Sequence, residues 1–219
     1  MNVLGLMQLC NTAAPGGGYS YCFGLDSLAQ KHQLTNAEQL LSLVEGLLLA
    51  AIGPADGVAS GIAYRAAREG HLEDLPVVCQ AMSSDRLPVE MRIASVQMGA
   101  RLWECSRAWD WTANVHEQVD PLVRRYDLHH AVAFGALVAE TTGSQVRAIA
   151  AYLLNIAKSI IHGAVGAIPL DDCEGQRVLA AIQETIARLA SRCADKRTED
   201  IVAAGPAARG SGPFGQLFN

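Results

Sequence analysis

Residues 144–169, SQVRAIAAYLLNIAKSIIHGAVGAIP, carry the pattern that decides the fold class of this chain. Apolar residues recur at helical spacing over about 145–167, with a capping serine before them and a proline after them. Ser159, Gly163 and Ala167 repeat at every fourth position, and a stripe of small residues lets a second helix approach closely. The segment therefore predicts one long helix at the centre of a helical bundle.

Helical patterns continue on both sides of this segment. The motif TNAE at residues 35–38 predicts a capping box that starts at Thr35, followed by a leucine-rich helix that ends at Gly53-Pro54. Further helices are predicted in PVEMRIASVQMGARLWEC at 88–105, in HHAVAFGALVAETTG at 129–143 and from about Asp172 to Cys193. The apolar residues nowhere show the alternation of a β-strand. We therefore expect an all-α protein, a single-domain helical bundle of roughly ten helices.

The composition changes at Asp195, where DKRTEDIVAAGPAARGSGPFGQLFN begins. Glycine, proline, serine and alanine dominate this stretch, a composition that is typical of a flexible tail. We therefore expect a helical domain over residues 1–194 and a tail over residues 195–219. Leu217 and Phe218 in the tail have no core of their own, which makes them candidates for docking on a partner protein.

Composition and charge argue against several classes of function. The 219 residues are 50% hydrophobic and 18% charged, with a net charge of -5, so there is ample material for a core. Lysine and arginine form no cluster of the kind that nucleic-acid binding needs. Glu45, Lys158 and His162 interrupt the longest apolar tracts too early for a membrane span. No basic residue precedes the apolar N-terminus, so we expect no secretory signal, a cytoplasmic location and reduced cysteines.

Residues of the types that carry catalysis do not form a recognisable constellation in the sequence. The chain has no Walker lysine, no GxSxG motif and no Glu-x-x-His motif. Asp127 and His130 have metal-ligand spacing, but His129 and His130 are better explained as the start of a helix. We expect no catalytic, cofactor-binding or metal-binding residue. The alternative hypothesis is a diverged helical metal- or small-molecule-binding enzyme that uses Asp127, His130 and nearby cysteines.

A glycine-rich segment, AAPGGGYSYCFGLDSLAQ at residues 13–30, lies near the N-terminus. Glycine-rich turns that lead into a helix often bind phosphate, but this one has no lysine and no strand before it. A turn between two helices is the simpler explanation. A helical core without a catalytic constellation, together with a tail that ends in apolar residues, favours an interaction protein.

Several segments, taken together, resemble the UreF family of urease accessory proteins. MQLCNTAAPGGGYSYCFGLDSL at 7–28 is similar to that family's opening, and RLPVEMRIASVQMGARLW at 86–103 is similar to its middle helix. AVAFGALVAETTG at 131–143, the long helix and IPLDDCEGQRVL at 168–179 are similar to its C-terminal half. The resemblance covers about 4–182, most of the chain.

The resemblance implies an all-α homodimer without enzymatic activity of its own. It implies a urease maturation factor that bridges the accessory protein UreD (also called UreH) and the GTPase UreG, and promotes nickel insertion into the urease apoprotein. A diverged relative with changed partners stays open, because Asp171-Asp172, Gly166 and the end of the tail depart from the family pattern. The residues that we expect to bind partners are Pro15, Gly17, Gly18, Tyr19, Ser20, Gly24, Asp26, Arg92, Gln97, Gln176, Leu217 and Phe218.

Overall fold

All regular elements in the part of the chain that the computed structural model describes are helices. That part comprises residues 1–11, 25–84 and 89–203, without the side chains of Asp26, Ser27 and Glu90. The elements, in chain order, are α1 (Val3–Leu9), α2 (Leu25–Gln30), α3 (Ala37–Leu47), a π-helical segment (Leu48–Gly57), α4 (Val58–Glu69), α5 (Asp74–Ser83), α6 (Val89–Ser106), a short 3-10 turn (Asp110–Thr112), α7 (Ala113–Val123), α8 (His130–Val138), α9 (Gln145–Ala167), α10 (Asp172–Ala194) and α11 (Thr198–Ala203). One hydrophobic core joins residues from Leu9 to Ile201, which confirms the predicted all-α, single-domain fold.

The centre of the bundle is α8, and all nine of its residues are buried. Its sequence, HAVAFGALV, is apolar on every side apart from His130, and a helix of this kind belongs in a core rather than at a surface. The helices α4, α6 and α9 pack around it. The helix predicted for the centre, α9, lies beside α8 and packs mainly on α10 and α4.

The stripe of small residues on α9 does not fix that helix in the core. Ser159, Gly163 and Ala167 are only half-buried. The buried face carries larger residues such as Ile149 and Tyr152. Small residues permit a close approach but do not require one, so the stripe alone does not identify the buried face.

Two glycines bring backbones into direct contact around α8. Gly135 of α8 faces the carbonyl oxygen of Ser60 in α4, and a Cβ atom in its place would overlap that oxygen. Gly99 of α6 faces the carbonyl oxygen of Leu128, just before α8, in the same way. Because neither position has room for a Cβ atom, glycine at both sites allows α4 and α6 to approach the central helix closely.

The start of α3 differs by one residue from the predicted capping box. Asn36, and not Thr35, is the N-cap residue, and its Oδ1 accepts a hydrogen bond from the Gln39 backbone N–H at 2.9 Å. Gln39 Oε1 in turn accepts a hydrogen bond from the Thr35 backbone N–H at 2.8 Å. Asparagine is at least as good an N-cap residue as threonine, so the local pattern does not separate the two positions.

The helix that begins with α3 does not end at Gly53-Pro54, contrary to the prediction. It continues through the π-helical segment, with Pro54 inside it, and into α4 as far as Glu69. Proline removes a backbone donor and normally ends or kinks a helix. Here the segment packs on α9 and α10, and Cys193 Sγ donates a hydrogen bond to the Gly53 carbonyl oxygen at 3.3 Å. We attribute the continuation to this tertiary packing, which overrides the local stop signal, and to the wider π turn.

Two helices are long and apolar enough to cross a membrane by length and composition. They are the continuous helix Ala37–Glu69 and α9, although charged residues were expected to interrupt both apolar tracts too early. Within the bundle, 44% and 56% of their apolar windows are buried. Packing in the core therefore accounts for the apolar composition of both helices.

The helical domain extends beyond the predicted boundary at residue 194. Helix α11 lies inside the predicted tail, and its Ile201 is 2% exposed. The Thr198 hydroxyl donates a hydrogen bond to Asp74 Oδ1 at 3.0 Å, where α11 packs on α5. The boundary was placed too early because the glycines and prolines beyond residue 203 dominate the composition of the whole stretch. Residues 204–219 lie outside the described part of the chain.

Asp56 places a carboxyl group in the buried part of the π-helical segment. The residue is 5% exposed, and its Oδ1 has no hydrogen-bond partner among the described residues. Burial disfavours the charged form and raises the pKa of Asp56 from 3.8 to about 7. One turn further along, the buried Ser60 hydroxyl also lacks a hydrogen-bond partner in the part of the chain that the structure describes. The fold leaves these polar groups unsatisfied, which makes this part of the core sensitive to pH.

We expect Gly135→Ala to lower the free energy of unfolding by about 1–3 kcal/mol, because the added Cβ atom meets the Ser60 carbonyl oxygen and forces α4 away from α8. Gly46→Ala in α3 is the matched control, since nothing lies within 4 Å of its Cβ position. The control should leave stability unchanged or raise it by up to about 1 kcal/mol through helix propensity. Urea denaturation followed by circular dichroism measures the free energy of unfolding of both variants. Equal changes in the two variants would contradict the close contact between Gly135 and the Ser60 carbonyl oxygen.

Asp56→Asn should stabilise the protein at neutral pH and have little effect near pH 3.8. The folded state keeps the Asp56 proton up to about pH 7, whereas the unfolded chain loses it near 3.8, so stability falls as the pH rises between these values. The full effect above pH 7 is on the order of 4 kcal/mol. Melting temperatures across this range test the prediction, with the exposed Glu117→Gln as control. A gain in stability that does not change with pH would show that the carboxyl group is not responsible.

Candidate interaction surface

The N-terminal helix α1 turns an apolar face to solvent. Leu4 is 80% exposed and Met7 is 66% exposed, and Met1 and Val3 are exposed beside them. The opposite face carries the buried Leu9. The sequence of α1, VLGLMQL, contains no charged residue. Large apolar side chains on one exposed helix face are typical of a surface that binds another protein.

Hydrogen bonds at both ends hold α1 on the bundle. Asn2, its N-cap residue, accepts a hydrogen bond from the Gly5 backbone N–H at 2.9 Å and donates its own N–H to the Thr141 carbonyl oxygen at 2.8 Å. At the other end, Lys158 Nζ of α9 donates to the Cys10 carbonyl oxygen at 2.9 Å. A helix this short is not stable alone, so these tertiary bonds fix its position. The apolar face is therefore presented in one orientation.

Two tryptophans extend this face beside α1. Trp109 and Trp111 stack with ring centroids 5.4 Å apart and an interplanar angle of 16°, and both are half-buried. Trp111 Nε1 donates to Gln8 Oε1 at 3.2 Å, and its ring lies close to Gly5. Tryptophan is among the residues most enriched at binding hot spots. We define the α1–Trp surface by six residues, Met1, Val3, Leu4, Met7, Trp109 and Trp111.

The glycine-rich segment begins just after α1. Both elements that flank it are attached to α9, because Lys158 holds the end of α1 and α2 packs on α9 with Leu25 and Leu28 buried. The side chain of Asp26 lies outside the described part of the chain. The other residues of this segment that were predicted to bind partners also lie outside it, namely Pro15, Gly17, Gly18, Tyr19, Ser20 and Gly24. Their role in binding stays a prediction.

The remaining predicted contact residues fall on two different helices. Arg92 is half-buried on α6 and donates from Nη1 to the Ser83 carbonyl oxygen at 3.2 Å, and Gln97 is exposed on the same helix. Gln176 is exposed on α10. Helix α6 packs mainly on α8, and α10 packs mainly on α9 and α3, so the structure does not bring Gln176 to Arg92 and Gln97. Leu217 and Phe218 lie outside the described residues.

A buried hydrogen-bond network lies next to the contact between Arg92 and Ser83. His129 is fully buried, with its Nε2 3.0 Å from Ser83 Oγ and its Nδ1 3.2 Å from Ser95 Oγ. Burial lowers the pKa of His129 to about 4, so the imidazole is neutral at pH 7. Two serine hydroxyls occupy both ring nitrogens, and the network joins α5, α6 and the start of α8. We interpret it as a structural link between these helices.

The residues of the alternative enzyme hypothesis converge only in part: Asp127 and Cys79 line one cleft, and His130 is not among the residues that line it. His130 is buried against Phe134 and Tyr152, with ring centroids 6.4 Å and 5.5 Å away, and burial lowers its pKa to about 4. Asp127, in contrast, is exposed in the loop before α8. Burial raises the pKa of the Cys79 thiol to about 11, which keeps it protonated. In the described ranges, no group of three His, Cys, Asp or Glu side chains is placed to hold a metal ion.

Comparison with known proteins identifies the family. The sequence model of the UreF family matches residues 34–183, more than half of the chain. The chain belongs to the UreF family. Proteins named urease accessory protein UreF are similar to it. The protein from Bacillus sp. (strain TB-90) is 24% identical over 93% of this chain and 90% of the relative. The protein from Kocuria rhizophila is 28% identical over 85% of this chain and 79% of the relative, and the one from Corynebacterium glutamicum (strain R) is 29% identical over 86% of this chain and 83% of the relative.

Membership confirms the resemblance seen in the sequence, and the UreF family serves urease maturation. The matched range contains Arg92, Gln97 and Gln176, whereas α1 lies before it. The α1–Trp surface was not found from the sequence. A signal was present, because the seven residues of α1 carry apolar side chains on both faces and no charge, and a short helix cannot bury both faces against one core.

We expect His129→Ala to lower the free energy of unfolding by about 2–4 kcal/mol, because it leaves a cavity and removes the partner of two serine hydroxyls. This loss of stability in His129→Ala should be largest at neutral pH. The unfolded chain binds a proton at His129 near pH 6.5 and the folded state only near 4, so the stabilising effect of the imidazole decreases as the pH falls through this window. His71→Ala, at an exposed histidine, should change stability by no more than roughly 0.5 kcal/mol. Denaturant titrations at several pH values measure both variants, and equal effects would rule out the network as a stabilising element.

Proposed function

We propose that this UreF-family chain is a non-catalytic urease maturation factor that bridges the UreD/UreH accessory protein and the UreG GTPase. In this role it promotes nickel insertion into the urease apoprotein, works as a homodimer and acts in the cytoplasm. The observation that carries the proposal is the match of the UreF family over residues 34–183, supported by relatives named urease accessory protein UreF that cover most of the chain.

The α1–Trp surface supports a role in binding a partner protein. Burying Leu4 and Met7 contributes about 3–6 kcal/mol gross from apolar area, before the costs of association are subtracted. Hydrogen bonds from Gly5 to Asn2 and from Lys158 to Cys10 already order the helix that carries these residues. A surface that is ordered before binding loses little conformational entropy when the partner arrives.

The predicted contact residues lie on more than one helix, and this supports the proposal that the chain bridges more than one partner. Gln97 of α6 and Gln176 of α10 are exposed, so their amides are available for hydrogen bonds across an interface. Arg92 is half-buried and fixed at the Ser83 carbonyl oxygen, which suits a positioned interface arginine. The proposed contact set is completed by the glycine-rich segment at 15–26 and by Leu217 and Phe218.

The proposed mechanism is differential binding without chemistry on this chain. The scaffold binds the arrangement of the GTPase that transfers nickel more tightly than its other states, and so increases the population of that arrangement. A change in nucleotide state then alters affinity and releases the partner. Nickel is the cargo of the assembled complex in this proposal.

The test combines Leu4→Ser and Met7→Ser with a matched control of Leu49→Ser and Val146→Ser, two apolar residues that are also exposed but lie on other helices. Each variant is mixed with UreD/UreH and UreG, and complex formation is measured by gel filtration with light scattering. Restoration of urease activity is measured in cells that lack the native gene. We expect the wild type and the control to assemble and to restore activity. The Leu4/Met7 variant should keep its melting temperature and lose roughly tenfold or more in affinity.

The possible outcomes test the proposed function and the α1–Trp surface independently of each other. A wild-type chain that neither assembles with the two proteins nor restores urease activity would refute the proposed function. A wild-type chain that does both, with a Leu4/Met7 variant that behaves in the same way, would leave the function standing and refute the α1–Trp surface as a binding site.

A further inference from the structure

A cleft of about 420 Å³ opens between α5 and the end of α7, and no role described so far uses it. One wall is formed by α5, through Cys79, Gln80 and Ser83. The other wall is the stretch from Val123 to Asp127, at the end of α7 and in the loop that follows. The cleft therefore lies on different helices from the α1–Trp surface.

Two neighbouring arginines give the cleft its charge. Arg124 and Arg125 are exposed, and neither guanidinium group makes a hydrogen bond or ion pair with the residues that the structure describes. In contrast, Arg107 forms hydrogen bonds to Asp120 at 2.8 and 2.9 Å. Among the described residues that line the cleft, Asp127 is the single acid. The described lining thus carries net positive charge on a chain whose overall charge is -5.

An apolar recess adjoins the two arginines. It shares Cys79, Val123 and Tyr126 with the cleft, and its lining is completed by five further apolar residues, Leu75, Pro76, Val119, Leu122 and Leu128. Tyr126 is half-buried and lines both the cleft and the recess. The recess has a free volume of only about 10 Å³, so an apolar side chain beside the guanidinium groups packs against the residues that the recess shares with the cleft and does not enter it.

Hydrogen bonds of Ser83 to His129 and Arg92 hold the α5 wall of the cleft in place. Ser83 Oγ is 3.0 Å from His129 Nε2, and the Ser83 carbonyl oxygen accepts a hydrogen bond from Arg92. His129 is fully buried at the start of the central helix α8. This side of the cleft is therefore in place before a ligand arrives, which lowers the entropy lost on binding.

We propose that the cleft between α5 and α7 binds an acidic segment of a partner protein, in which a carboxylate pairs with Arg124 and Arg125 and a neighbouring apolar side chain packs against Tyr126 and Val123. Guanidinium groups bind carboxylates through two parallel hydrogen bonds, which gives direction as well as attraction. Two arginines on an otherwise acidic chain are too few for the counterion release that drives nucleic-acid binding. The inference goes beyond the proposed function, since it does not depend on which protein supplies the acidic segment.

The experiment uses the full chain and a display library of short random peptides. Peptides selected by the wild type are synthesised with a fluorescent label, and their affinity is measured by fluorescence polarisation. The test variant is Arg124→Glu with Arg125→Glu. The matched control is Arg177→Glu with Arg192→Glu, the same change of charge at two exposed arginines of α10. Tyr126→Ala tests the apolar wall, and melting temperatures show whether each variant is folded.

We expect the wild type to select peptides in which Asp or Glu stands beside an apolar residue. Affinity should fall roughly tenfold or more in the Arg124/Arg125 variant, fall less in Tyr126→Ala and stay near the wild-type value in the α10 control. No enrichment of acidic peptides, or equal binding by the two double variants, would overturn the proposal. Full displacement by inorganic phosphate, with no contribution from the apolar residue, would show an anion site instead. Tighter binding of single-stranded DNA that depends on Arg124 and Arg125 would also overturn it.

Discussion

The complete burial of α8 is the constraint on which the rest of the bundle depends. A helix enclosed on every side needs neighbours that approach it closely, and Gly99 and Gly135 allow α6 and α4 to do so through backbone contacts. Both neighbouring helices connect the central helix to elements nearer the surface. Helix α4 continues back through the π-helical segment into α3, and α6 leads toward the stacked Trp109 and Trp111. The candidate interaction surface is thus built from the central helix toward solvent.

Burial at the centre also determines how polar groups behave there. His129 at the start of α8 is neutral and is satisfied by two serine hydroxyls, so it links three helices. Asp56 is also buried, and its Oδ1 has no hydrogen-bond partner within the described ranges, so burial raises its pKa. The two groups have opposite effects on the pH dependence of stability between about pH 4 and 6.5. A falling pH removes the stabilising effect of His129 and reduces the cost of burying a charged Asp56 carboxylate.

The surface regions differ in chemistry, and this difference fits a protein that works by binding. The α1–Trp surface is formed by apolar side chains, whereas the cleft between α5 and α7 combines Arg124 and Arg125 with an apolar recess. The α1–Trp surface is suited to a broad apolar interface, and the cleft is suited to binding a carboxylate. Both rest on elements that the core holds in place, through Lys158 for α1 and through His129 for α5.

The helical fold class and the family could be predicted before the structure was known, because helical periodicity and capping chemistry are local and the motifs of the family occur in order along the chain. Gln97 and Gln176 could be named as contact residues only through that resemblance, and the structure places them on separate helices. Tertiary structure alone decided that α8 is central, that the helix runs through Pro54 and that Leu4 faces solvent. Each of these depends on neighbours far away in sequence: packing overrides a local stop signal, and only the arrangement of all helices decides which apolar face is buried.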